Sequence, residues 1–221
     1  MGLEEGGHFT VKMPEGGKAG YVSVLKEGLA YAAWLSVHSS GRQRELAAEF
    51  VKYILRRAEK AGKEVYEKAK EIVEEGKARG SLTLKGLEKK VEVDGRKHVV
   101  KVIDGSAELE ESWSGKKLLR IRITAEVGVV RREYEIAFGR YRANNKAEGS
   151  ATARADAPGG SEEDAERLAA VVKAITGKEP RIRRMKHGTI IIECGRKHLE
   201  DFVRYAELAD AIAKWLKETA L

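Results

Sequence analysis

The sequence predicts an α+β fold, an antiparallel sheet with helices packed on one side, ending in an α-β-β-α unit. Three observations predict it. Leu119, Ile121, Ile123, Ala125 and Val127 alternate with Arg120, Arg122, Thr124 and Glu126, and Tyr134, Ile136 and Phe138 continue that period of two. The stretch from Arg181 to Cys194 reads as a β-hairpin, with a basic first arm, Lys186-His187-Gly188 as its turn and an Ile-rich second arm. A helical pattern flanks that hairpin on each side.

Taken in order, residues 1–20 are rich in glycine and read as a flexible segment with a short strand from Phe9 to Met13. Residues 21–80 read as a small ββα unit. Tyr21 to Leu25 is its first strand, Lys26-Glu27-Gly28 a turn, and Leu29 to His38 its second strand. Ser39-Ser40-Gly41 offers a hydroxyl N-cap to a long helix whose apolar face holds Leu46, Ala47, Phe50, Val51, Ile54 and Leu55. Gly62 interrupts it, and a second helical stretch runs from Lys63 to Glu75.

Residues 81–156 read as an antiparallel meander with one wet face. Ser81 to Leu84 is a short strand. Val91 to Val93 and His98 to Ile103 form a hairpin about Asp94-Gly95, the strongest short turn signal in the chain. Asp104-Gly105 reads as a further turn, and Ala107 to Glu111 as a short acidic strand. Ala157 to Ser161 reads as a linker, after which residues 161–221 form the α-β-β-α unit, packed with the meander as one domain. Ser161 with Asp164 resembles a capping box at the start of its first helix. Leu199, Phe202, Val203, Ala206, Ile212, Trp215 and Leu216 give the last helix a broad buried stripe.

The net charge of +7 points to polyanionic partners, nucleic acid first and a membrane surface second. No apolar run reaches the ~20 residues of a membrane helix, so no membrane partner is expected. Cys194 is the single cysteine, which excludes an intrachain disulfide and a cysteine zinc cluster. The N-terminus, acidic and Gly-rich, is unlike a signal peptide, so a cytoplasmic location is expected. Gln43, Asn144 and Asn145 are the only amides, while Lys, Arg and Glu abound, the pattern of a thermophile.

No phosphate loop, dinucleotide fingerprint, nucleophile elbow or zinc spacing is present, and no cofactor is expected. Cys194 and His198 are four apart, but Cys194 follows Ile192 on an apolar strand and reads as core. Asp94, Asp104 and Glu193 are carboxylates near strand ends; the two aspartates each precede glycine and read as turn residues. The functional candidates are cationic. Arg120, Arg122, Arg131, Arg132, Arg140 and Arg142 crowd the meander with Tyr141 among them, an aromatic placed to stack on a base. Arg181, Arg183, Arg184 and Lys186 add a basic hairpin arm, with Arg181 and Arg183 as its exposed pair. The competing structural reading is cross-strand pairing of these arginines with glutamates on a solvated sheet.

Gly80 to Gly86, Leu118 to Val127 and His198 to Asp210 resemble stretches of the repeat-type proteins multiplied in Pyrobaculum and related crenarchaea. The resemblance spans roughly residue 20 to the end. It implies a hyperthermophilic archaeal cytoplasm and, since that family has no established activity, no catalytic residue. The C-terminal α-β-β-α order also resembles part of a LAGLIDADG homing endonuclease domain, which implies a mobile-element origin. The family's defining helix, ending in an acidic metal ligand, has no counterpart before these strands. The function expected is non-catalytic nucleic-acid binding, DNA before RNA, with phosphates held on a basic sheet face. The alternatives are a metal-dependent DNA endonuclease, requiring convergent carboxylates, and a protein-interaction module, requiring an exposed apolar patch.

Overall fold

Alanine decides the architecture of the first unit. In a computed structural model of the protein, which describes residues 5, 6, 8–13, 20–141 and 146–219, the chain divides into residues 1–79 and residues 80–221. Much of the segment expected to be flexible, residues 1–4, 7 and 14–19, lies outside the described residues. In the first unit β1 (Phe9–Lys12) pairs antiparallel with β2 (Tyr21–Val24). The strand expected from Leu29 to His38 is instead helix α1 (Lys26–His38). Ala30, Ala32 and Ala33 are strong helix formers, and all three are buried. Their small size lets α1 meet α3 (Lys63–Ala78) backbone to backbone: a Cβ on Gly76 would stand 2.2 Å from the Ala30 carbonyl oxygen. Between them in sequence lies α2 (Gly41–Ala61), whose Val51 and Ala58 join Leu29, Ala33 and Val73 in one apolar cluster. The expected hydroxyl cap of α2 is absent; Ser40 caps nothing, and Ser39 donates its hydroxyl back to the Leu35 carbonyl of α1. Gly62 takes φ of 126°, a conformation that breaks α2 from α3.

The second unit is a curled seven-stranded antiparallel sheet with three helices on its concave face. Its strands are β3 (Glu88–Val93), β4 (Arg96–Glu111), β5 (Lys117–Val127), β6 (Val130–Tyr141), β7 (Lys146–Thr152), β8 (Arg181–Arg184) and β9 (Ile190–Gly195), in the order 3-4-5-6-7-9-8. The protein is thus α+β, with an α-β-β-α unit closing the chain. Asp94 and Gly95 both have positive φ, as a two-residue hairpin loop requires, and they join β3 to β4. Asp104-Gly105, expected as a turn, lies inside β4 at a bulge between Val102 and Asp104. Gly105 is needed there because Leu84 packs onto the strand: a Cβ on Gly105 would stand 2.5 Å from Leu84 Cδ1. The short strand expected at Ser81 to Leu84 reduces to one bridge, Leu82 to Tyr205.

Helix α4 (Gly160–Thr176) packs against both β3 and β9, five places apart in the sheet, which the curl brings within reach of one helix. Helices α5 (Arg196–Phe202) and α6 (Ala206–Glu218) complete the concave layer. Tyr134, Phe138, Ile192, Phe202 and Trp215 are fully buried between sheet and helices. The expected capping box at Ser161 and Asp164 does not form. Gly159, at φ of 79°, is the N-cap, and Asp164 turns inward to 1% exposure. Ala157 to Ser161 therefore joins elements of one unit. Among the described residues no helix is long and apolar enough to cross a membrane.

Candidate nucleic-acid interface

Strand alternation sends every second side chain of β4 to β7 to the convex face, away from the helices. The cations there are Lys97, Lys101, Arg120, Arg122, Arg131 and Lys146. The acids there are Asp104, Glu108, Glu110, Glu126, Glu133, Glu135 and Glu148. With six cations against seven acids this face is close to charge balance, which corrects the expectation of a basic face. The register explains it. Glu108 of β4 lies directly opposite Arg120, and Glu135 of β6 lies opposite Arg122. Arg120 pairs with Glu135 and, at 2.6 Å, with Glu110. Arg122 pairs with Glu108, with Glu110 at 3.2 Å and with Glu135 at 3.1 Å. Hydrogen bonds that the guanidiniums donate to these acids hold both above their usual pKa, burial opposing the effect. The charges of the ladder are paired by its own carboxylates, while among the described residues the buried Nε of Arg120 has no hydrogen-bond partner.

The other predicted residues are dispersed. Arg131 is exposed opposite Glu126. Arg132 points to the concave side, 2.5 Å from buried Asp164 and 4.9 Å over the Tyr134 ring. Arg181 and Arg183 are the convex pair of β8, as the alternation requires, with Arg183 bound to Glu193 at 3.1 Å. Arg184 leans to α4 and Glu162 at 2.9 Å, and Lys186 is exposed in the hairpin turn. Arg142 lies outside the described residues.

Arg140 and Tyr141 sit at the end of β6, where a second set of cations gathers. The Arg140 guanidinium lies 5.0 Å over the Trp215 ring, and its Nε donates to Thr219 Oγ1 at 3.1 Å. Burial and the nearby Arg196 guanidinium lower its pKa. Trp215 Nε1 donates to the Lys117 carbonyl, and the Lys117 ammonium reaches Glu218 at 2.8 Å, beside Lys214 and Lys217. Lys146 pairs across from Tyr141, and Glu148 pairs across from Gly195, which starts α5. Among the described residues, Lys117, Arg140, Lys146, Arg196, Lys214 and Lys217 thus gather at this end with Glu111, which lies across from Lys117, and with Glu148, Glu200 and Glu218. Tyr141 is 42% exposed, and its ring lies over Gly139, where a Cβ would stand 2.7 Å from it. Residues 80–221 hold 28 of the cations and 23 of the acids, five of the seven net positive charges. Lys117, Arg196, Lys214 and Lys217 escaped sequence reasoning because three separate elements contribute them and no run marks them.

Among the described residues no group of three or more His, Cys, Asp or Glu is placed to hold a metal ion. Cys194 is buried, and burial pushes its thiol pKa up to about 12. His198 does not reach it as a base; its Nδ1 accepts from the Gly195 N–H at 3.1 Å. No protein-family model, curated protein or solved structure matches the chain.

Proposed function

We propose that residues 80–221 bind nucleic acid without chemical change, through the basic end of the sheet around Tyr141 and not through the arginine ladder in the middle of the convex face. The observation that carries this reading is the gathering of six cations from five elements at one end of the sheet, beside an exposed aromatic ring. Clustered cations attract phosphate, and an exposed ring offers stacking to an unpaired base. The arginine ladder on the convex face has its carboxylates already and adds little. The resemblance to crenarchaeal repeat-type proteins, with the archaeal cytoplasm it implies, is part of the same proposal.

The test is fluorescence anisotropy with labelled duplex and single-stranded DNA across a salt series. Replacing Arg196, Lys214 and Lys217 by Ala should flatten the log–log salt slope on duplex by about 0.9 for each phosphate those side chains neutralise. Tyr141→Ala should weaken single-strand binding by about 1–3 kcal/mol and duplex binding less. Arg120→Ala should leave the slope unchanged. Absence of salt-dependent binding, or a slope that responds to Arg120 and not to the basic end, would overturn the reading.

A further inference from the structure

In the first unit, one flank of α2 carries its charges in a self-complementary order. Glu45, Glu49, Lys52, Arg56 and Lys60 follow one another in steps of three and four, so they form a single row along the helix, and all are exposed. The row is acidic in its first half and basic in its second. Like charges four residues apart on a helix repel, so Glu45 with Glu49, Lys52 with Arg56, and Arg56 with Lys60 each oppose the helix they stand on. Only Glu49 and Lys52, three apart, are neighbours of opposite sign in the row. Among the described residues Glu45 pairs with Arg42 at 3.2 Å, while Glu49, Lys52, Arg56 and Lys60 have no ion-pair partner. Helices of the second unit follow the opposite rule. Arg196 pairs with Glu200 at 2.9 Å in α5 and Lys214 with Glu218 at 3.9 Å in α6, each pair four apart. The helix macrodipole favours Lys60 in the last turn of α2, but its effect fades before Glu49 and Arg56, which stand more than a turn from either end.

An apolar stripe runs along this row. Leu46, Phe50 and Tyr53 share one face at i, i+4 and i+7. Phe50 leans into the apolar cluster of the unit, while Leu46 is 49% and Tyr53 54% exposed. The fully buried positions of the helix are Ala47, Val51 and Ala58, so Leu46 and Tyr53 lie outside its seam with α1 and α3. A row that is acid first and base second matches its own copy run in the reverse direction. When a helix meets its copy about a two-fold axis, the two run antiparallel and the same flank of each faces the other in reverse order. Glu49 then stands opposite Arg56 of the copy, Glu45 opposite Lys60, and Tyr53 near the axis. A parallel pair would set acid against acid and base against base.

We infer that the protein forms a two-fold homodimer in which α2 packs antiparallel on α2 of a second copy, through Leu46 and Tyr53 and the charged row beside them. The local repulsion within the row is relieved only when the copy is present. A helix of 21 residues is about 30 Å long, which puts the contact at the small end of specific interfaces and its dissociation constant at about 1–100 μM. The surface belongs to the first unit and does not depend on nucleic-acid binding by residues 80–221.

Sedimentation equilibrium of the full chain, from about 1 μM to 1 mM, tests it. A monomer–dimer equilibrium is expected, weaker in 1 M salt because the pairs are exposed. Glu49→Arg alone, or Arg56→Glu alone, sets like charges across the axis and should raise the dissociation constant at least about tenfold. Glu49→Arg combined with Arg56→Glu reverses the order of the row and should restore the dimer. Unchanged helical circular dichroism separates loss of pairing from loss of fold, and Tyr53→Ala, at an exposed position, should weaken the dimer without either charge change. A chain that stays monomeric up to about 1 mM, a dimer indifferent to both single charge changes, or a double variant as weak as the single ones would each overturn the proposal. A monomeric chain that loses duplex DNA binding on Arg56→Glu would assign the row to nucleic acid and overturn it as well.

Discussion

A thiol that resists ionisation reports on its surroundings. Cys194 lies in β9 at 2% exposure between sheet and helices, and its pKa is driven up to about 12 by burial. In the unfolded chain the thiol ionises near 8.5. The folded value is the higher one, so the contribution of Cys194 to stability is complete below about pH 8.5 and is lost as pH rises toward about 12. Denaturant unfolding between pH 8 and 11 should therefore show a decline that Cys194→Ala reduces, with the variant about 1 kcal/mol less stable at pH 7. Native protein should react slowly with aromatic disulfide reagents at pH 7 and fast in guanidinium. Fast native labelling would contradict the burial. This residue was legible in the sequence because its neighbours are apolar at alternating positions. Asp164 was not. It stands where a helix cap belongs, and what draws it inward is Arg132, 32 residues earlier in the chain.

Elements take their form from partners as much as from their own pattern. Ser81 to Leu84 has the composition of a strand, yet it is held by one carboxylate at the start of α6. Glu207 accepts from Thr83 Oγ1 at 2.6 Å and from the backbone N–H groups of Leu84 at 2.9 Å and Lys85 at 3.2 Å. Burial alone would raise this carboxyl, but those donors outweigh it and hold its pKa below the usual value. The stabilisation is thus present above the unfolded pKa, about 4.3, and is lost as pH falls through the lower folded value. Glu207→Ala should cost about 1–3 kcal/mol at pH 7 by urea unfolding, and the gap to the native chain should narrow in acid. An unchanged midpoint at pH 7 would show that Leu84 holds the segment by packing alone. The sequence marked β5, β6, the Asp94-Gly95 hairpin and both arms of the C-terminal hairpin because each has its period or turn chemistry locally. It misread α1 because Leu29 to His38 has two faces of similar polarity, and only the close approach of Gly76 makes small residues preferable there.

On the scale of the molecule, two apolar cores are separate in composition. One is built from residues 29–73 and the other from residues 84–215. Residues 80–221 expressed alone should unfold in one cooperative transition and keep their β-rich circular dichroism. A molten fragment with broad unfolding would show that the second core needs the first unit. Charge follows the same lesson of scale. Arg120 and Arg122 are conspicuous in the sequence, but whether they are free is decided by Glu108 and Glu110, which β4 brings alongside only when the sheet forms. The alternating acids of residues 108–111 were visible, and their register was not.

Among the described residues the curled sheet does not close, and its two outer strands, β3 and β8, each have one edge without a strand partner where a neighbouring chain could add. Charged side chains occupy four of the six positions in β3 and three of the four in β8. A second molecule adding its own β8 edge-on would bring Arg181, Arg183 and Arg184 against their copies, before any backbone hydrogen bond formed. The arginine-rich arm that first suggests a ligand thus also sets like charge against like at that edge, which disfavours edge-to-edge pairing of copies.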